Sequence, residues 1–333
     1  MLPNLASAVT GLNADQAEMS VVANNLANQT TPGFKSGEGE FSQMLAASST
    51  IGQPPATALG NGGRNPSSIG YGTMFGQIVT NEAQGTIAQT GNPLDFAVQG
   101  NGYFEMTDSQ GAFLSRAGQF SLDQNGSLVD AQTGMIIQGY TNVSSAAGTT
   151  PATLTGTTKA TLSTTLQGIQ LPQTLIYTAN ATTPTTTTAE YQLSAWSVGQ
   201  DGTIDATYNA IAPQGAITTP AVSAAQAQAA AQATPTIAVV LGQVVLGTVS
   251  NPAGLVQTGN NLLQVGVNSG AVVSQVPETG GSGAIIQGAL ENSNTNVAQE
   301  MANLVTYSGA YDANARVITM AQAMAQALAQ MVQ

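Results

Sequence analysis

Apolar residues recur every seven positions at both ends of the chain. Near the N-terminus these are Leu5, Leu12, Met19 and Leu26, flanked by Leu2, Val9, Val22 and Ala23. The spacing predicts an amphipathic helix of coiled-coil type. From Pro3 to Ala27 such a helix spans roughly 37 Å at about 1.5 Å per residue. It is expected to stop at Asn28, because Pro32 and Gly33 both oppose helix. At the other end Val297, Leu304, Tyr311, Ile318 and Ala325 repeat the spacing, accompanied by Met301, Val305, Ala315, Leu328 and Met331. Asn294 or Thr295 is the expected N-cap, with Glu300 in the first turns where the helix dipole favours an acid. Ser308-Gly309 is the weak point, since an interior glycine costs about 1 kcal/mol. Heptads alone leave two readings open: helices that join copies of the chain, or helices folded onto their own domain.

Between the ends the pattern turns to β. Strands are expected at 74–80, 96–98, 103–106, 113–116, 120–122, 128–129 and 136–140, then at 175–178, 191–198, 203–208, 237–249 and 262–267. Asn101-Gly102 and Asn125-Gly126 are the strongest hairpin signals, because a primed turn needs φ > 0 at both central positions. Residues 36–68 are rich in Gly, Ser and Pro, and 224–233 is an Ala/Gln tract that reads as a short helix or a linker. The order helix, β, β insert, β, helix gives an α+β multidomain chain, with the terminal helices paired as a coiled-coil-like rod and nested all-β outer domains. The expected division is 1–30 plus 294–333 as the terminal helical domain, 31–69 as a linker, 70–140 plus 236–293 as an inner β domain, and 141–235 as an outer β insert.

Composition narrows the function. Of 333 residues only 7% are charged, with 5 basic against 17 acidic and a net charge of −12. The five cations Lys35, Arg64, Arg116, Lys159 and Arg316 are scattered, so nothing neutralises a phosphate backbone and nucleic-acid binding is excluded. No histidine or cysteine is present, which removes the commonest general base, metal ligands and nucleophile. The acidic pairs Asp201/Asp205, Glu38/Glu40 and Asp123/Asp130 lie in turn or linker settings, where Asp serves the backbone. The runs at Asp123–Gly126 and Asp201-Gly202 lack the spacing and closing Glu of a calcium loop. The chain is therefore read as a structural protein, not an enzyme, with no cofactor and no metal. No window suits a membrane span, and Met1 to Ala8 lacks the basic and apolar regions of a cleaved signal peptide. With no histidine, assembly is expected to change little between about pH 5 and 8.

Three groups of segments go beyond pattern. The first is Ser7–Ala14 with Asn24-Asn25-Leu26-Ala27-Asn28 and Thr31-Pro32-Gly33-Phe34-Lys35. The second is Thr90-Gly91-Asn92-Pro93-Leu94-Asp95-Phe96, running on through Gly100-Asn101-Gly102 and Ser115-Arg116-Ala117-Gly118. The third is Ser250–Leu255, Gly288–Asn294 and Tyr311–Ile318. Together they resemble the flagellar rod and hook family over both ends and about two thirds of the chain. Within that family, the insert of residues 141–235 and the run Asp201–Asn209 favour a hook-type subunit. A distal-rod-type subunit is the alternative, and an adhesin-like surface module a more remote one.

The resemblance implies a curved tube acting as a universal joint, with a central export channel. Its implied partners are further copies of the chain, rod and hook–filament junction proteins, a hook cap and the flagellar export apparatus, in an extracellular setting. It implies that Leu5, Val9, Leu12, Met19, Leu26, Val297, Leu304, Tyr311, Ile318 and Leu328 make the assembly contacts, and that the ends are disordered in the free monomer. The matching motif positions are Asn24, Asn25, Asn28, Gly33, Phe34, Asn92, Pro93, Leu94, Gly100, Asn101 and Gly102. The three asparagines are expected to end the first helix through a left-handed turn.

Overall fold

The computed structural model describes residues 3–50, 65–108, 111–141, 152–155, 165–178, 188–210 and 236–331, with residues 52 and 63. Two compact units share the chain. The first takes Met1–Thr31, Lys35–Ala83 and Ser293–Gln333, and the second takes Pro32–Phe34 and Gln84–Asn292.

The first unit is built on helix α1 (Pro3–Ala27) and helix α2 (Val297–Met331). The two run antiparallel, since Asn25 meets Glu300 while Asp15 meets Asn314. The N-cap of α2 is Asn296, not the expected Asn294 or Thr295: its Oδ1 accepts from the Ala298 and Gln299 amides at 3.1 and 3.3 Å. Asn294 is recruited elsewhere, as described below. The 31–69 segment, expected as a linker, carries strands. Gly37–Gln43 pairs antiparallel with Thr73–Thr80, and Ala46–Thr50 with Ser67–Gly70. Strand 37–43 is mostly exposed, so it shows no alternation of apolar residues and is held by its backbone ladder and an edge-on Phe41–Phe75 contact at 5.9 Å.

Helix α2 passes unbroken through Ser308-Gly309. A methyl group added at Gly309 would meet nothing within 4 Å. Gly309→Ala should therefore stabilise α2 by roughly 0.5–1 kcal/mol, because the backbone entropy cost falls with no clash. A rise in the helix melting midpoint by circular dichroism checks this.

The second unit is a β structure. Among the described residues a 15-stranded sheet runs in the order 152–155, 174–178, 188–198, 203–210, 236–244, 136–141, 103–108, 111–115, 262–264, 256–259, with shorter strands paired off this path. Every pairing is antiparallel except 152–155 with 174–178. In this sheet strand 203–210, within the expected insert of residues 141–235, pairs directly with strand 236–244 of the expected inner region. The Ala/Gln tract at 224–233 lies outside the described residues. One apolar cluster fills the unit, including Phe96, Phe104, Met106, Ile137, Ile169, Leu175, Ile204, Tyr208 and Leu241. Phe120 is central, 5.4 Å from Phe96 and 5.2 Å from Phe104, the latter edge-on at 90°.

Of the two hairpin signals, Asn125-Gly126 lies in the turn between the antiparallel strands 120–122 and 128–130, whereas Asn101-Gly102 joins strands 96–99 and 103–108, which pair elsewhere. Neither Asn101 nor Asn125 has a positive φ; Gly100, Gly102 and Gly126 do, at 108°, 122° and 78°. Among the described residues a tandem left-handed pair without glycine occurs at Asn260-Asn261, at 51° and 56°, between strands 256–259 and 262–264. Asn reaches this conformation because its short polar side chain compensates locally.

Candidate functional site

The leucine heptad of α1 does not form its buried face. Ala8, Ala14, Glu18, Val21, Val22 and Asn25 are buried, whereas Leu5, Leu12, Met19 and Leu26 are half-buried and Val9 is exposed. The reason is the closeness of the helices. A methyl group on Gly11 would come within 2.8 Å of the Asn314 amide, which itself donates to Asp15 at 2.9 Å. Small residues let two backbones approach, and the large ones lie on the flanks. On α2, Leu304 and Ile318 are half-buried, while Val297, Tyr311 and Leu328 are exposed together with Met301, Val305, Met320, Met324 and Met331. Val297, Met301 and Val305 follow one another at four-residue spacing near the start of α2, and Met320, Met324 and Leu328 do so on a different side of it farther along.

Behind the helices lies a hydrogen-bonded joint. Asn25 is 1% exposed. Its Nδ2 donates to Gly37 O at 2.8 Å and to Glu300 Oε1 at 2.9 Å, and its Oδ1 accepts from the Gly37 amide at 2.9 Å. One amide thus pins the end of α1 to the first β strand and to the first turn of α2. Asn294 repeats the device, accepting from the Ser36 amide at 2.8 Å and donating to Asn81 O and Ala83 O at 2.7 and 3.0 Å. Asn24 and Asn28 do act at the helix end, since Asn28 Nδ2 donates to Asn24 O at 3.0 Å. None of the three asparagines takes the expected left-handed conformation. Their side chains make hydrogen bonds instead, with Asn25 and Asn28 donating and Asn24 accepting from Asn28.

In the second unit two of the remaining motif residues, Gly33 and Gly100, contact a buried ion pair. Arg116 Nη1 lies 3.1 Å from Glu291 Oε2, with the two side chains 7% and 1% exposed. Arg116 Nη2 donates to Gly100 O at 2.8 Å, and the guanidinium stacks 5.2 Å from the centre of the Tyr103 ring. Glu291 Oε1 accepts from the Gly85 amide at 2.9 Å, and its carbonyl accepts from the Gly33 amide at 2.7 Å. Gly33 has φ 72° and sits so close to the Arg116–Ala117 backbone that a side chain would collide with it. Only glycine meets both conditions. Asn92 Nδ2 donates to Asp95 at 3.0 Å, Pro93 O accepts from Gln287 and Leu94 O from the Phe120 amide. Phe34 is half-buried. Sequence reasoning quoted Arg116 and Glu291 in separate motifs, and only the fold makes them partners.

Two tyrosines titrate high. Burial raises Tyr208, whose hydroxyl donates to Pro172 O at 2.9 Å. Tyr307 is raised by burial first, then by the negative charge of Glu18 and, further off, Glu300 and Glu38. A phenol whose folded pKa lies above the unfolded 10.0 contributes stability that is complete below pH 10.0. That stability is lost as pH rises through the higher folded value. Ultraviolet titration should show tyrosines that ionise above the usual range, with stability falling as they do.

Among the described residues no three acidic groups converge to hold a metal, and no helix is long and apolar enough to cross a membrane.

Comparison with known proteins gives matches along the chain. Residues 5–35 match the family described as flagella basal body rod protein. Residues 97–206 match the flagellar hook protein FlgE/F/G D1 domain, and 286–331 the C-terminal part of flagellar basal body rod FlgEFG protein. The flagellar basal-body rod protein FlgG of Agrobacterium fabrum is 30% identical over 322 residues, 96% of each chain. That of Bacillus subtilis is 29% identical over 329 residues, 98% of each. The flagellar hook protein FlgE of Borreliella burgdorferi is 38% identical over 130 residues, 39% of this chain and 29% of the relative.

Proposed function

The chain belongs to the flagellar rod and hook axial family, a structural rather than enzymatic one, and from that premise we propose that it is a subunit of the distal rod. The observation that carries this reading is the extent of the match. Rod relatives align with 96–98% of both chains, whereas the hook relative aligns with 39% of this one. The length of the chain, which favoured a hook-type subunit on sequence alone, is no obstacle to a rod assignment on that alignment. The higher identity of the hook match over its 130 residues supports the hook as the second reading.

In this proposal α1 and α2 form the self-assembling core, with Leu5, Val9, Leu12, Met19, Leu26, Val297, Leu304, Tyr311, Ile318 and Leu328 at contacts between copies. The exposed apolar residues on α2 support it, because apolar surface is costly in water until another chain covers it. The paired helices act as a coiled-coil-like rod, and residues 141–235 form the outward-facing part. Other axial proteins and the export apparatus are the further partners. Electron microscopy of basal bodies from a deletion strain tests the assignment. A truncated rod carrying no hook is expected; a complete rod lacking only the curved hook would overturn it in favour of the second reading.

A further inference from the structure

The two Asn-Gly pairs of the second unit differ in how their backbone is held. Asn101 and Asn125 are both exposed, and Gly102 and Gly126 are both buried, so exposure does not separate them. The Gly126 amide donates to Asp123 O at 3.0 Å. Neither the Gly102 amide nor the Asn101 side chain forms a hydrogen bond among the described residues. In the same peptide unit Asn101 O accepts from the Gly283 amide at 2.7 Å. A donor on the carbonyl polarises the peptide and makes its N–H more acidic.

Glycine is required at position 102. Its φ is 122°, and an added methyl group would come within 3.1 Å of Leu246 Cβ. No side chain therefore shields the Gly102 nitrogen from the carboxamide of Asn101 beside it.

We propose that Asn101 is a site of spontaneous deamidation and isomerisation, and that the fold protects Asn125 from the same reaction. The Gly102 nitrogen gives its proton to solvent hydroxide and bonds to Asn101 Cγ. The Cγ–Nδ2 bond breaks, and ammonia leaves with a proton taken from water. The cyclic imide then adds water at one of its two carbonyls. Breaking the new Cγ–N bond gives aspartate. Breaking the original peptide bond gives isoaspartate, whose backbone runs through Cβ. At Asn125 the same attack must first release the Gly126 amide from Asp123 O.

Isoaspartate disturbs the loop that holds Arg116, because it lengthens the backbone by one carbon between Gly100 and Tyr103. Gly100 O is fixed by Arg116 Nη2 at 2.8 Å and Asn101 O by the Gly283 amide. A methyl group on Gly100 would already lie 3.0 Å from Gly283 Cα. The longer chain cannot keep both carbonyls in place, so ageing weakens the second unit. The inference is the same for a rod or a hook subunit.

The test holds the full chain in mildly alkaline buffer and follows both sites by peptide mapping with mass spectrometry. Exchange of the carboxamide for a carboxylate adds one mass unit, and chromatography separates isoaspartyl from aspartyl peptides. In the folded chain, modification at 101 should run roughly fivefold faster than at 125, the ratio set by one amide hydrogen bond that must open first. In urea the two rates should converge, because the fold no longer distinguishes the pairs. Asn101→Ser, a change at an exposed position, should show no mass gain there and keep its urea midpoint on ageing, whereas the midpoint of the parent falls. Equal rates in the folded chain, a faster rate at 125, or an unmodified Asn101 would overturn the proposal. A parent chain that keeps its midpoint while isoaspartate accumulates would overturn the loosening of the Arg116 loop.

Discussion

Replacing Arg116 with alanine should destabilise the second unit by about 3–5 kcal/mol, the usual effect of removing one partner from a buried ion pair. The change strips Glu291 of its counter-charge at 1% exposure and leaves the Gly100 carbonyl without its 2.8 Å donor. It also removes the cation stacked on Tyr103. Urea unfolding followed by the fluorescence of Trp196, which packs edge-on against Phe96 at 6.3 Å in the same unit, reads the loss. The double variant Arg116→Met with Glu291→Leu should lose less than Arg116→Ala, because no charge is left stranded. It will not recover fully, since the Gly85 amide keeps no acceptor in place of Glu291. A double variant as unstable as the single would mean that the pair matters for its shape rather than its charge.

Asn25→Ala should have a comparable effect on the first unit. It removes three hydrogen bonds and leaves the Gly37 amide, the Gly37 carbonyl and one oxygen of Glu300 without partners. At about 1–3 kcal/mol for each group left unsatisfied, the loss is roughly 3–9 kcal/mol. Asn25→Asp, nearly identical in shape, should be worse than alanine. Its Oδ1 still accepts from the Gly37 amide, but an oxygen replaces the donor and faces both the Gly37 carbonyl and the Glu300 carboxylate. Hydrogen exchange at the Gly37 amide should accelerate in both variants while amides of the large sheet keep their protection. Faster exchange across the whole chain would count against separate joints.

These two sites show where sequence reading succeeds and where it stops. The span Pro3–Ala27 is legible to the residue, because a helix stop is written locally in Pro32 and Gly33. Which face of α1 is buried is not, because the large residues announce a stripe while Ala8, Gly11 and Ala14 permit the close contact. The Asn24–Asn28 motif is recognisable, but its chemistry is not local. Asn25 reads as a turn former until Gly37 and Glu300 arrive from 12 and 275 residues away. The strand Gly37–Gln43 goes unseen because most of its side chains face water, so only the pairing with Thr73–Thr80 defines it. The left-handed Asn260-Asn261 turn escapes a search for Asn-Gly because Asn can supply both positions. Resemblance placed the chain in its family, whereas its length pointed to the hook and the breadth of the alignment to the rod.

The joint at Asn25 also imposes an order in time. Its partner Glu300 is synthesised 275 residues later. At about 5–20 residues per second, the ribosome takes roughly 15–55 s to bridge that gap. Throughout that interval the first strand and α1 lack the residue that fastens them to α2. Closing so long a loop is itself slow once the last turn of chain appears. A nascent copy therefore remains open at its beginning until its end has been made.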